Sequence, residues 1–449
     1  MILTYDCILS NLSGSETAVR LLYVVHQYLP DQVGGTELYT FWLAGEMARQ
    51  NHQVAVFYRR GAGKPVAVHR TDGNVQVWGA GAWSTGPTCR FLATFGAPSV
   101  RRAWKQILGE WNPDVVHIQH LMGLPVSLIR ALQRQRILYV VTLWDYWWLC
   151  LNAQLLTNYS GEVCEGPQYW NCARCMLARA GFPGLRPAIP FLAGLAAWRN
   201  RLLRGVLDGA RVLIAPTEFV RRWYAAHGVP EEKIVVLAPG LDNSMLPPQP
   251  PRPADDTVRF AYIGGLSWQK GVHVLVEAFS GVRGEAELWV AGDESFDPAY
   301  VSRLKALATP NVRFLGRLDR KGVWETLTQV DVVVVPSLWY ETFSFLISEA
   351  FAAGLPVLAS RLGALADRVR DGVDGLLLPP GDVAAWRAAM QRLLDEPDLL
   401  PRLRAGVRPP MTMGEHVDRL EALYAGCVPI SSGLAALQDN CEQLSYNYR

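Results

Sequence analysis

Short apolar runs recur along the chain, each followed by a glycine-bearing or polar turn and then by residues at helical spacing. Leu21–His26, Gln53–Tyr58, Val115–His120, Ile137–Leu143, Val212–Pro216 and Ile234–Leu237 are nearly continuous in hydrophobicity rather than alternating. That pattern predicts parallel strands covered by helices on both faces. Arg259–Ile263, Glu287–Ala291, Val312–Gly316, Val330–Val335 and Pro356–Ala359 form a second such set, and the proline-rich run Pro247–Asp256 lies between the two. Two α/β halves follow, each a Rossmann-like domain with a glycine turn after its first strand. We place an N-terminal extension at 1–20, a first domain at 21–241, a linker at 242–256 and a second domain at 257–412. A closing helix and tail take up 413–449.

Three strand-to-helix turns carry the candidate chemistry. The first, Asp31 to Glu37, holds Gly34 and Gly35 and expects Thr36 as the cap of a helix running to Arg49; paired glycines let a ligand approach the backbone closely. The second, Gly264-Gly265-Leu266-Ser267-Trp268-Gln269-Lys270-Gly271, puts a mobile ammonium, Lys270, at its rim. The third runs from Pro336 to Leu358. Glu341 sits in its turn, Thr342-Phe343-Ser344 can open the helix, and Glu349 lies one to two turns in. Helix starts present free N–H groups and a positive dipole end, so an anion, phosphate first, is the natural ligand. Two carboxylates beside a phosphate repel it unless they face hydroxyls or cations. A sugar nucleotide supplies hydroxyls on both its ribose and its hexose, which the glutamates can bind.

Composition narrows the class. With 449 residues, half of them hydrophobic, and a net charge of +2, the chain is globular and does not bind nucleic acid by bulk charge. The first twenty residues do not resemble a secretory signal, and the longest smooth apolar stretch, Pro187–Trp198, is about a dozen residues, too short for a bilayer. The expectation is a soluble, cytoplasmic protein that touches the inner membrane surface at most peripherally. Of eight cysteines, Cys150, Cys164, Cys172 and Cys175 fall close together and include one C-x-x-C pair. A structural zinc is one reading of that cluster and free buried thiols are the other. Arginines interleave with Phe191, Leu192, Leu195, Trp198, Leu202 and Leu203 in the stretch 174–222. This suits either an anionic membrane surface or a helix packed on the sheet with its arginines in water.

At the end of the fourth strand of the first domain, Trp144-Asp145-Tyr146-Trp147-Trp148 occupies the functional edge of a parallel sheet. The spacing Glu341-x7-Glu349, followed by Ala350-Phe351-Ala352-Ala353-Gly354-Leu355-Pro356-Val357, resembles the signature of the retaining glycosyltransferases of family 4. That resemblance implies the GT-B fold, two Rossmann-like domains with parallel sheets facing an interdomain cleft. It also implies a metal-independent transfer, without cofactor, of a sugar from a nucleotide-diphosphate sugar to an acceptor hydroxyl with retained configuration. No Asp-x-Asp element that would carry a divalent ion appears in a suitable loop.

Under the resemblance Glu349 holds the ribose, Glu341 the donor sugar, and Lys270 with the Thr342-Phe343-Ser344 amides the diphosphate. Gly34, Gly35, Gly264 and Gly265 line the donor site, and Arg317 lies near the base. Relatives commonly carry an arginine where this chain has Gly265, and a histidine where it has Trp144. Asp145 then becomes the retained polar group of the catalytic edge, with His120 beside it on the acceptor side. The acceptor would be a carbohydrate, a lipid-linked or a small molecule. A nucleotide-sugar epimerase, a phosphorylase-like enzyme and an idle nucleotide-sugar binder remain the rival readings. The resemblance also suggests that the helix around Glu415–Tyr424 crosses back to the first domain.

Overall fold

The computed structural model describes residues 18–32, 34–61, 67–81, 86–247 and 255–425. The first sheet contains β1 (Arg20–Val25), β2 (Gln53–Arg60), β3 (Ala67–Asp72), β4 (Val75–Gly81), β5 (Val115–Ile118), β6 (Leu138–Thr142), β7 (Val212–Ala215) and β8 (Ile234–Val236). Their spatial order is β3-β4-β2-β1-β5-β6-β7-β8, parallel throughout except for the β3–β4 pair. This hairpin was not anticipated from the sequence, because its strands are short and mixed in polarity. The second sheet contains β9 (Val258–Ile263), β10 (Ala286–Ala291), β11 (Val312–Gly316), β12 (Val332–Val335), β13 (Val357–Ser360) and β14 (Gly375–Leu378), in the order β11-β10-β9-β12-β13-β14. Every pairing in it is parallel. Most of the proline run between the sheets, the extension before residue 18 and the tail after residue 425 lie outside the described residues. Among the described residues no helix is long and apolar enough to cross a membrane.

The strands are buried on both faces, and the apolar side chains gather into three large clusters. One fills the outer face of the first sheet around Phe57, Trp104 and Trp148, and another covers the second sheet around Phe260, Phe279 and Trp386. The third runs across both domains, joining Tyr39 and Trp144 of the first to Ile347 and Phe351 of the second. Two hydroxyl bonds stitch the same seam. Thr342 Oγ1 donates to the carbonyl of Trp144 at 2.6 Å, and Thr217 Oγ1 to the carbonyl of Thr342 at 3.1 Å.

The closing helix Met413–Ala425 does cross back to the first domain. Tyr39 Oη and His416 Nε2 are 2.6 Å apart, His117 Nδ1 and the Tyr424 hydroxyl 2.6 Å, and His52 Nε2 and Glu421 Oε1 2.7 Å. Burial pushes His117 down to about 3 and His416 down to about 4 from the ordinary 6.5, so both are neutral when folded. Below 6.5 the unfolded chain takes up protons that the folded chain refuses. Stability is therefore complete above about pH 6.5 and drains away as the pH falls toward 4. We expect urea denaturation to show a loss approaching about 2 kcal/mol for each histidine by about pH 5. Equal midpoints at pH 7 and 5 would contradict this.

Candidate functional site

The site forms where the carboxyl ends of the two sheets meet. On the second domain the turn after β9 ends in a short 3-10 segment, Trp268–Lys270, which Gly271 closes at φ 71°. A Cβ at Gly271 would stand 1.9 Å from the carbonyl oxygen of Pro336, so this turn lies directly on the turn after β12. Leu338 N–H donates to the Gln269 carbonyl at 2.8 Å and ties the two together. The contact brings Lys270 to Glu341, although 71 positions separate them.

Three donors converge on a single oxygen, Glu341 Oε1. Lys270 Nζ lies at 2.6 Å, the Ser337 hydroxyl at 2.8 Å and the Trp339 indole N–H at 3.0 Å. The ammonium also stands 5.2 Å from the Trp339 ring centroid, where the face of the π system attracts it. The carboxylate is buried, and charge-assisted bonds of this kind offset the cost of removing it from water. All three of these bonds fall on Oε1 and none of them on the second oxygen.

Thr342 and Phe343 lead to Ser344, a non-glycine residue at φ 67° and ψ 94°. Helix Phe345–Ala352 starts immediately after it, with no side-chain cap, so its first amides stay open to an anion. Arg368 fixes the entry. Its guanidinium lies 3.6 Å from the Phe343 ring centroid and donates to the Phe343 carbonyl at 3.3 Å and the Ser348 hydroxyl at 2.8 Å. Burial lowers its pKa to about 9.

Glu349, also buried, faces Arg320 at 2.5 Å, and that guanidinium lies over the Trp42 ring of the first domain at 5.1 Å. Arg320 was not foreseen. It opens a helix 29 positions earlier, and no local pattern links the two. Arg317, expected near the base, is exposed and faces Asp293 at 3.6 Å.

From the first domain, Gly35 comes up against this helix start, whereas Gly34 adjoins Glu37 of its own helix. Gly34 itself is the N-cap of helix Gly35–Arg49, and a Cβ on Gly35 would touch the Phe345 ring at 3.4 Å. The expected Thr36 cap is corrected by this geometry. Thr36 is already inside the helix, where its carbonyl accepts from Thr40 Oγ1 at 2.7 Å. Gly264 packs against the Tyr262 hydroxyl, whereas Gly265 faces open space.

Trp144 does not reach into the site as a polar group. Its indole N–H donates to Gln119 Oε1 at 2.7 Å, and its ring packs edge-on against Tyr39 at 4.7 Å and beside Phe345 at 6.1 Å. Its neighbour does carry polar chemistry. His120 Nδ1 accepts the Met122 N–H at 3.0 Å, which leaves Nε2 to donate to Asp145 Oδ2 at 3.0 Å. Asp145 Oδ1 takes the Trp147 N–H at 2.8 Å. Behind them the His26 ring lies 4.5 Å from that of His120, tilted by 47°, and faces Glu37 at 3.4 Å. Burial raises the Glu37 carboxyl and lowers the His26 imidazole. Neither was singled out from the sequence, where a histidine at a strand end and a glutamate in a first turn look ordinary.

Cys150, Cys164, Cys172 and Cys175 border one cavity as free thiols. Burial raises the first and last of the three most enclosed, Cys150 and Cys175, and lifts Cys172 to about 12. Among the described residues no group of three or more His, Cys, Asp or Glu side chains is placed to hold a metal ion.

Comparisons with known proteins match this architecture. Residues 33–244 fit the family model described as Glycosyltransferase Family 4, and residues 257–396 the one described as Glycosyl transferases group 1. A glycogen synthase of Mycobacterium tuberculosis (strain ATCC 25618 / H37Rv) is 31% identical over 184 residues, which cover 40% of this chain and 44% of that protein. A D-inositol 3-phosphate glycosyltransferase of Thermomonospora curvata is 32% identical over 264 residues, covering 51% of this chain and 60% of that protein. The chain thus spans about half the length of the curated relatives it matches. Among solved structures, a sucrose-phosphate synthase from Thermosynechococcus elongatus aligns with a TM-score of 0.67 at 20% identity, covering 90% of this chain and 98% of that one. Anabaena HepE in complex with UDP-glucose aligns at 0.62 and 16%, over 91% and 100%. At such identities the likeness concerns the fold, which is GT-B: two α/β domains with mostly parallel sheets.

Proposed function

For a chain that carries a Glycosyltransferase Family 4 domain followed by a Glycosyl transferases group 1 domain, we propose glycosyl transfer from a nucleotide-diphosphate sugar to an acceptor hydroxyl. In this reading the transfer retains the anomeric configuration and needs no metal ion. The observation that carries it is the convergence of Lys270, Ser337 and Trp339 on one oxygen of Glu341, beside an uncapped helix start. A diphosphate would take the open amides and share the Lys270 charge, while the free oxygen of Glu341 meets the sugar hydroxyls. Glu349, with one oxygen on Arg320, would turn the other to the ribose. Such fixed dipoles favour the charge that grows on a departing diphosphate, which is where preorganisation contributes most. The acceptor proton would pass to a leaving-group oxygen, and Asp145, oriented by His120, would position the acceptor. The UDP-glucose held by the HepE structure and the inositol phosphate named for the Thermomonospora relative favour a nucleotide-bound hexose as donor and a polyol-type acceptor.

A thermal-shift screen against nucleotide sugars is expected to single out one donor by its raised midpoint. NMR of the product should then show the donor's anomeric configuration, with an unchanged rate in EDTA. An inverted product or a rate abolished by the chelator would refute the corresponding half of the proposal. Tight donor binding without transfer to any acceptor would identify an idle binder.

A further inference from the structure

Helix Ile189–Gly209 buries Ile189, Ala196, Leu203, Val206 and Leu207 but mixes two polar side chains into that face and leaves two large aromatic ones outside. An ordinary surface helix hides its apolar stripe and shows its charges. Here Arg199 and Asn200, 1% and 3% exposed, point inward, where Arg199 donates to the Trp147 carbonyl and Asn200 to the Leu149 carbonyl, each at 2.6 Å. Burial lowers Arg199 to about 10. The outward stripe, spaced by three, four and three residues, is Phe191, Gly194, Trp198 and Arg201. Phe191 is 74% exposed and Trp198 52%. Arg186 and Arg201 do lie exposed, as a helix packed on the sheet with its arginines in water requires, and Arg199 is the exception.

The apolar face continues past the helix. Residues 180–187, which lead into it, are all exposed and offer Phe182, at 63%, and Leu185. Trp198 stacks on Phe95 at 4.5 Å, and Leu92, three residues before Phe95, is exposed as well. From Tyr169 to Leu207 the chain contains six arginines and no acidic residue. Arg204 pairs with Asp208 and Arg199 is buried, but the exposed Arg186 and Arg201 mixed with exposed aromatic and aliphatic side chains form the pattern that lies at the headgroup level of a lipid surface. A second copy meeting the same face would set arginine against arginine, so self-association is disfavoured.

We propose that this face docks the protein on an anionic phospholipid bilayer without crossing it. Aromatic side chains would enter the interface, and the arginines would pair with lipid phosphates. Because Arg199 and Asn200 grip the carbonyls just beyond Asp145, docking would also turn the acceptor side toward the bilayer. That last step rests on the transfer reading, whereas the docking itself does not.

The test is flotation of the full chain with vesicles of phosphatidylcholine alone or mixed with phosphatidylglycerol, which needs no activity. Binding is expected with the anionic vesicles only. It should weaken at least about tenfold in Phe182→Ser/Phe191→Ser and again in Arg186→Glu/Arg201→Glu, at unchanged melting temperature because these side chains are exposed. No binding to anionic vesicles at moderate salt, or equal binding by the aromatic variant, would overturn the proposal. So would a dimer broken by the same substitutions in place of vesicle binding.

Discussion

Replacing Lys270 by alanine is expected to lower kcat/KM for the donor by roughly tenfold to a hundredfold, a loss of about 1–3 kcal/mol. The structure gives a more specific reason than a missing cation. Glu341 would keep its Ser337 and Trp339 donors and so stay in place, now as an uncompensated buried carboxylate next to the diphosphate. Part of the loss is then repulsion by Glu341, and a double-mutant cycle can measure it. Lys270→Ala/Glu341→Gln should bind donor more tightly than the sum of the two single effects allows. Strict additivity in isothermal titration, or a Lys270→Ala enzyme with wild-type kinetics, would count against the assigned roles.

Gly271→Ala should be still more damaging, although it adds only a methyl group. The residue has a left-handed φ, and the new Cβ would meet a backbone oxygen rather than a side chain able to move aside. Strain and overlap together suggest a cost of about 2–5 kcal/mol. Relief would require parting the two turns that bring Lys270 to Glu341, so stability and transfer should fall together. Gly265→Ala, in the same loop but facing open space without a left-handed φ, is the control. Its melting point should stay near wild type. Equal behaviour of the two variants in thermal and urea melts would show that the glycine contact is unimportant.

Much of the fold could be read from the sequence because buried parallel strands advertise themselves as unbroken runs of valine, leucine and isoleucine. Val332–Val335 and Val357–Ser360 are examples, each within about two residues of its expected place. Lys270, Glu341 and Glu349 were likewise visible, since each sits at a fixed offset from a local turn. What stayed hidden depends on distant partners. Arg320 gains its meaning from Glu349 and Trp42, and His26 from Glu37 and His120, through contacts created only when the sheets close. Helix Ile189–Gly209 shows a further limit. Periodicity places Leu203, Val206 and Leu207 inside, but only the Trp147 and Leu149 carbonyls explain why Arg199 and Asn200 join them.

Thr342 belongs to two contacts at once. Its neighbours line the proposed diphosphate site, while its hydroxyl and carbonyl hold Trp144 and Thr217 of the opposite domain. A ligand that steadies this peptide therefore also steadies the grip between the domains, and thermodynamic reciprocity requires the converse. Thr217, whose hydroxyl both caps helix Glu218–Ala226 of the first domain and holds this peptide of the second, would then, under the proposed transfer, become a lever on how long spent nucleotide remains bound.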